Sequence, residues 1–233
     1  MSYIDENHVD IAFLQETWLT GGDANVYVEM EEYGFKVHKY MREKCRGGGL
    51  AVLYKKNLLI NQTILKPESN FESFENIVCT FKSNNQSLIM VNIYRPPYSD
   101  RNPFTTKKFL EEFEVFISML LNFNKPVVIF GDFNINVLDK ENHYSKLFLE
   151  LLENYGMSQL VKTATHLRGG LIDLLITDEN SLITNGNVKT CSDFHTDHFP
   201  IQLVLNNIHH QTKSNLIVKQ IRDSNTLTRS QRT

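Results

Sequence analysis

The chain has 233 residues, of which 41% are hydrophobic and 22% charged, and a formal net charge of -3. That is enough chain for one substantial core and an ordinary globular composition, which excludes wholesale disorder. The slightly acidic balance argues against a protein that coats nucleic acid through phosphate contacts alone, but not against a nuclease, whose metal site itself needs carboxylates.

The first expected element is Asp10–Gln15 (DIAFLQ), a buried strand. Gly49–Tyr54, Leu58–Leu65, Asn76–Phe81 and Leu88–Tyr94 follow as short apolar runs at hairpin-like spacing, divided by Gly, Asn and Pro clusters. Asn84 and Asn85, between two of these runs, read as a tight turn. Gly47, Gly48 and Gly49 start a hairpin rather than a phosphate loop, because a strand follows them and not a Lys-Ser/Thr pair opening a helix. The period then changes. Phe109, Phe113, Phe116, Ile117, Leu120 and Leu121 recur at spacings of three and four, which predicts an amphipathic helix capped by Thr105 or Thr106. Pro126 opens the apolar run Val127–Phe130, which ends at Gly131 and Asp132. A second helix carries Leu147, Phe148, Leu151, Leu152 and Tyr155, and Gly156 stops it. Leu171–Thr177 and Phe199–Leu205 are the last strands, and from Asn206 to residue 233 the chain reads as a polar linker or disordered tail. Strands and helices in this mixed order suit an α/β (α+β) sandwich, two sheets with helices outside, over residues 1–205.

Three widely separated cysteines (Cys45, Cys79, Cys191) without a CxxC pair fit a reducing compartment and no zinc site. The N-terminus lacks a basic segment followed by an apolar run, and no stretch reaches the ~20 apolar residues that span a bilayer. The expectation is a nuclear or cytoplasmic protein, not secreted and without a membrane partner.

Five places carry chemistry. Glu16 directly follows the first strand, where a carboxylate can hold a hard cation such as Mg²⁺; the plain alternative is the first solvated residue after a strand. Asp132 and Asn134, in GDFN at the end of an apolar strand, can orient a water and a phosphate, and the same four residues are also turn-forming chemistry. Asp197 and His198 stand before another apolar strand and offer a metal ligand beside a hydrogen-bonding imidazole, or else a polar surface loop. Asp173 interrupts the apolar LIDLLIT; a buried carboxylate needs a partner, and His198 is the one expected, unless Asp173 lies on an exposed sheet edge. Tyr94 ends a strand before two prolines, where its hydroxyl can reach a phosphate or simply pack at the rim. Trp18 is expected to be packing.

The order LQET, NIYRPP, GDFN, IDLLIT, TDHFPI resembles the endonuclease/exonuclease/phosphatase superfamily, the deoxyribonuclease-I-like fold, from about residue 9 to 205. Within it, RGGGLAVLYKK, NIYRPP and THLRGG before IDLLIT look like LINE-type (jockey-like) retrotransposon endonucleases, which normally precede a reverse transcriptase. The resemblance implies a four-layer α/β/β/α sandwich of two mixed sheets flanked by helices. It implies Mg²⁺ (or Mn²⁺) as cofactor, DNA as partner with a reverse transcriptase domain downstream, and hydrolysis of a DNA phosphodiester to leave a 3′-hydroxyl. It makes Glu16 and Asp197 the metal carboxylates, Asp132 and Asn134 the water- and phosphate-orienting pair, and His198 the phosphate-contacting imidazole with Asp173 behind it. Tyr94 falls near the phosphate, and Thr165, Arg95 and Arg168 become substrate-binding candidates. The family's first strand, which bears a metal- and phosphate-binding Asn, has no counterpart before Glu16, so the resemblance implies an N-terminally truncated domain of impaired activity. An abasic-site nuclease or phosphatase of the same superfamily, or a catalytically dead binding remnant, are the rival expectations.

Overall fold

The structure, a computed structural model, describes residues 4, 6–20, 22–42, 47–63, 65, 71–83, 86–100, 102–178, 187–191 and 196–204. The Asn84–Asn85 turn, residues 192–195 before Asp197, and the tail from 206 lie outside the described residues.

Three β-sheets and three helices make up the described fold. β1 (Ile11–Gln15), β2 (Phe35–Tyr40) and β3 (Leu50–Lys55) form an antiparallel sheet in the order β1-β3-β2. A six-stranded mixed sheet runs β4-β5-β6-β7-β9-β8, with β4 Leu59–Gln62, β5 Glu75–Ser83, β6 Gln86–Tyr94, β7 Val127–Asp132, β8 Met157–Gln159 and β9 Asp173–Asp178. Only β6 and β7 pair parallel, joined by helix α2 (Thr106–Leu121). β10 (Asn187–Thr190) and β11 (Ile201–Val204) form a separate antiparallel ladder. Two mixed sheets were expected; among the described residues only the six-stranded sheet is mixed. Helix α1 (Ala24–Glu32) precedes β2, and α3 (His143–Asn154) precedes β8.

Side-chain alternation sorts these elements into four layers. Ile11 and Phe13 join the main core while Ala12 and Leu14 join a second cluster with Met30, Phe35 and Leu53, under α1. Hence every β1 residue is buried, and DIAFLQ reads as a continuous apolar run rather than an alternating one. Phe13 stacks on Phe130 of β7 with ring centroids 4.5 Å apart, which joins the two sheets face to face. The opposite face of the six-stranded sheet is covered by α2 and α3, whose Phe109, Phe113 and Phe148 surround Phe133. Thr105 is the cap of α2, accepting from the Lys108 N–H at 3.2 Å, and Asn142 caps α3. Burying those large rings supplies roughly 1.5–3 kcal/mol each against conformational entropy.

Four elements were not expected from the sequence. Helix α1 buries Met30, with Val26 partly covered, so its apolar stripe is faint. β2 mixes three charged or polar side chains into six residues, and β8 and β10 are only three and four residues long. Among the described residues, no helix is long and apolar enough to cross a membrane.

Candidate active site

Strand register builds the site. In the six-stranded sheet Glu75 pairs with Tyr94, Tyr94 with Asp132, and Asp132 with Asp173, so four polar side chains form one row across β5, β6, β7 and β9. Neighbouring strands lie about 4.8 Å apart, which places Tyr94 about 10 Å from Asp173. The row sits on the face turned toward β1. Asn92, two residues before Tyr94 on the same face, donates to the Leu14 and Ala51 carbonyls at 3.0 Å each and accepts from the Gln15 amide. That buried crosslink fixes the end of β1, and Glu16 follows it directly.

At one end of the row, the Tyr94 hydroxyl donates to the Glu16 carboxylate. Glu75 accepts from the Arg42 guanidinium and, at 2.7 Å, from the Gly49 N–H. Burial pushes the Glu75 carboxyl above the usual glutamate value; the Arg42 charge opposes that shift and nearby Glu16 adds to it.

At the other end, His198 Nδ1 lies 2.9 and 2.8 Å from the two oxygens of Asp173, and both side chains are 1% exposed. This geometry assigns the proton to Nδ1 and fixes the ring plane. The carboxylate inside LIDLLIT thus has the expected partner and is not on an exposed edge. Asp173 is itself held by Thr165, whose hydroxyl oxygen accepts the Ile172 and Asp173 N–H groups at 3.2 and 3.0 Å.

The GDFN segment is both strand end and turn. The Asp132 carboxylate accepts from the Asn134 N–H at 3.0 Å, and Asn134 adopts φ 49°, a left-handed conformation that Asn tolerates. Gly131 is required for a different reason: a Cβ there would overlap the Ile93 carbonyl oxygen of the paired strand.

Two of the expected substrate-contact residues are buried. Arg95 is 4% exposed and turns inward; its guanidinium donates to the Phe133 and Asn134 carbonyls at 3.0 and 3.2 Å and to the Thr106 hydroxyl at 2.8 Å. It braces the GDFN turn over the Phe109 ring, because a buried cation must satisfy its donors locally, and burial brings its pKa down to about 10. Thr165 is fully buried, and its hydroxyl oxygen holds the Asp173 N–H. Arg168, by contrast, is exposed. Trp18 is corrected: it is 48% exposed, not packed away.

His166 was not foreseen. Its Nδ1 accepts the Arg168 N–H at 3.0 Å, leaving Nε2 3.6 Å from Asp197 Oδ2, and its ring meets the His198 ring edge-on at 4.7 Å. A lone His in THLRGG carries no signal beyond its proximity to Thr165. Glu75, inside the run FESFENIV, and Asn92, a polar residue inside LIMVNIY, could have been flagged by the logic applied to Asp173.

Among the described residues, two groups of three bring ligand atoms within 4.8 Å of one another: His166, Asp197 and His198, and Asp132, Asp173 and His198. Glu16 is in neither group, so the carboxylates span the row rather than converge on one point. Hard divalent cations take carboxylate oxygens and retain waters. The partly exposed Glu16 and the half-exposed Asp197 fit that chemistry; Asp173, closed on His198, does not.

A family model described as "Endonuclease/Exonuclease/phosphatase family" matches residues 1–198. The chain belongs to the endonuclease/exonuclease/phosphatase family. Members hydrolyse phosphodiester bonds. Similar solved structures include the endonuclease domain of TRAS1, a telomere-specific non-LTR retrotransposon (TM-score 0.62, 14% identity, covering 85% of this chain and 86% of that one). Truncated Caenorhabditis elegans TDP2 (0.57, 11%, 85% and 85%) and the human Nocturnin catalytic domain (0.55, 13%, 92% and 80%) also share the fold. No curated protein matches the chain.

Proposed function

We propose that this chain is a divalent-metal-dependent DNA endonuclease of the retrotransposon type, nicking one strand to leave a 3′-hydroxyl that a downstream reverse transcriptase domain extends. The observation that carries the reading is the in-register row Tyr94, Asp132, Asp173, closed at one end by Glu16 and at the other by His198. The subgroup motifs THLRGG and NIYRPP, and the similarity to the TRAS1 endonuclease domain, favour DNA over other phosphodiesters.

In this reading Asp132 takes the proton from the attacking water, its orientation set by the Asn134 N–H. The Asn134 amide, held by its bond to the Arg95 carbonyl at 2.8 Å, orients the phosphate. His198 donates to a non-bridging phosphate oxygen, and Asp173 keeps the imidazole in the required tautomer. Tyr94 presents its hydroxyl beside the phosphate, and Arg168 contacts the DNA backbone from the exposed turn after Thr165. Glu16 and Asp197, at opposite ends of the row, would each offer a carboxylate to Mg²⁺ or Mn²⁺ rather than share one ion; the metal when bound supplies charge stabilisation for the phosphate and the leaving oxygen.

The test is conversion of supercoiled to relaxed plasmid with Mg²⁺, followed by polymerase extension of the nick to report the 3′-hydroxyl. Abasic duplex, inositol phosphates and 2′,3′-cyclic phosphates run in parallel. The Glu16→Ala and His198→Ala variants should lose at least about a hundredfold. Equal rates in wild type and variants, a preference for a non-DNA substrate, or no hydrolysis in the whole panel rejects the proposal.

A further inference from the structure

We infer that Trp18 is a stacking platform for a nucleobase beside the scissile phosphate. The inference rests on the nuclease reading and adds to it the part of the DNA that the site recognises. Single exposed apolar residues are common and need no explanation by themselves. Trp18 differs in three respects.

First, it is fixed. Its backbone N–H donates to the Gly48 carbonyl at 2.9 Å, and Thr17 donates to the Gly49 carbonyl at 3.2 Å. The Gly49 N–H in turn is held by Glu75, a member of the site row. Second, its backbone is in the left-handed region at φ 54°, two residues after Glu16 at φ 50°. A bulky side chain adopts that conformation only where its surroundings impose it, and such strain collects at functional sites. Third, the indole lies against Gly47: a Cβ there would stand 3.9 Å from the Cε2 and Cζ2 atoms of the indole. A residue without a side chain backs the benzene ring, while 48% of Trp18 stays exposed.

The result is a half-exposed indole on a hydrogen-bonded backbone, at most about 7 Å along the chain from Glu16. Inositol phosphates and bare phosphodiesters offer it nothing to stack on; a base does. The partner is therefore a DNA strand with a base unstacked next to the cleavage position, and single-stranded or frayed DNA should bind this surface better than closed duplex.

Trp18 is the one tryptophan of the chain, so its emission reports this surface alone. The experiment uses the full chain with Ca²⁺ in place of Mg²⁺ to limit cleavage. Binding of labelled oligonucleotides is followed by anisotropy, and unlabelled ones are titrated while Trp18 emission is read. The probes are a single-stranded oligonucleotide and an equal-length strand carrying base-free spacers at its centre. Saturable quenching by the base-containing strand is expected, with little from the base-free one. Trp18→Ala should weaken the anisotropy Kd about 5- to 150-fold, and Trp18→Phe should restore most of it. Anisotropy binding with unchanged emission, equal quenching by the base-free strand, or an unaltered Kd in Trp18→Ala overturns the stacking role and leaves the nuclease reading intact. No binding to any oligonucleotide overturns both.

Discussion

Asp173 is the sharpest point at which to perturb this site. Its two oxygens receive His198 Nδ1 at 2.9 and 2.8 Å with both side chains 1% exposed, so no solvent can replace either partner. Asp173→Asn keeps the volume and one acceptor but removes the charge. A hydrogen bond to a charged group contributes about 1.5–3 kcal/mol net. If that contribution is lost only in the transition state, at about 1.4 kcal/mol per factor of ten, the nicking rate falls by about 10- to 150-fold with the fold retained. Asp173→Ala is different. It leaves the Nδ1 proton buried without an acceptor, a change that costs about 3–5 kcal/mol. For a domain of this size that corresponds to a Tm lower by about 6–20 °C. Plasmid nicking at matched protein concentration and scanning calorimetry separate the two effects. A nicking rate for Asp173→Asn within about a factor of two of wild type would refute the role given to the pair. An unchanged Tm for Asp173→Ala would refute its structural basis.

Arg95→Lys removes the forked donor set that reaches the Phe133 and Asn134 carbonyls and the Thr106 hydroxyl. It should destabilise by about 2–4 kcal/mol in urea unfolding and slow nicking through a loosened GDFN turn; wild-type stability would show that the turn needs no brace. Gly131→Ala forces a Cβ into the Ile93 carbonyl and should cost about 1–3 kcal/mol or more, and a Tm within error of wild type contradicts that close approach. Glu75 gives a pH signature. Burial raises its carboxyl above 4.5, so the protonated form is favoured in the folded state, and its contribution is complete below that value and lost as pH rises through the folded pKa. The Glu75→Gln variant lacks this titration. Its Tm should therefore gain on wild type as the pH rises above 4.5; a pH-independent difference would show that the carboxyl is not raised.

Much of the fold was legible in the chain. The period change from alternating runs to Phe109, Phe113, Phe116 marks α2, and the polar interruption at Asp173 predicts His198 as partner, because a buried carboxylate has few physical options. GDFN, the Glu after β1 and the Asp-His before β11 also mark the right strand ends. The failures share a cause. Arg95 looks like an outward-facing cation, and Trp18 like core, when only residue type and neighbours in sequence are visible. Whether a polar group faces a ligand or braces a turn depends on which strands become neighbours. The parallel pairing of β6 with β7 sets Arg95 against the GDFN backbone, and the turn at residues 165–170 folds against Asp197 and Phe199 to enclose Thr165 and bring in His166. Local pattern and side-chain chemistry thus determined most of the elements and the candidate polar residues at the strand ends. Strand register, a long-range property that no local window encodes, decided their order along the row and which of them reach solvent.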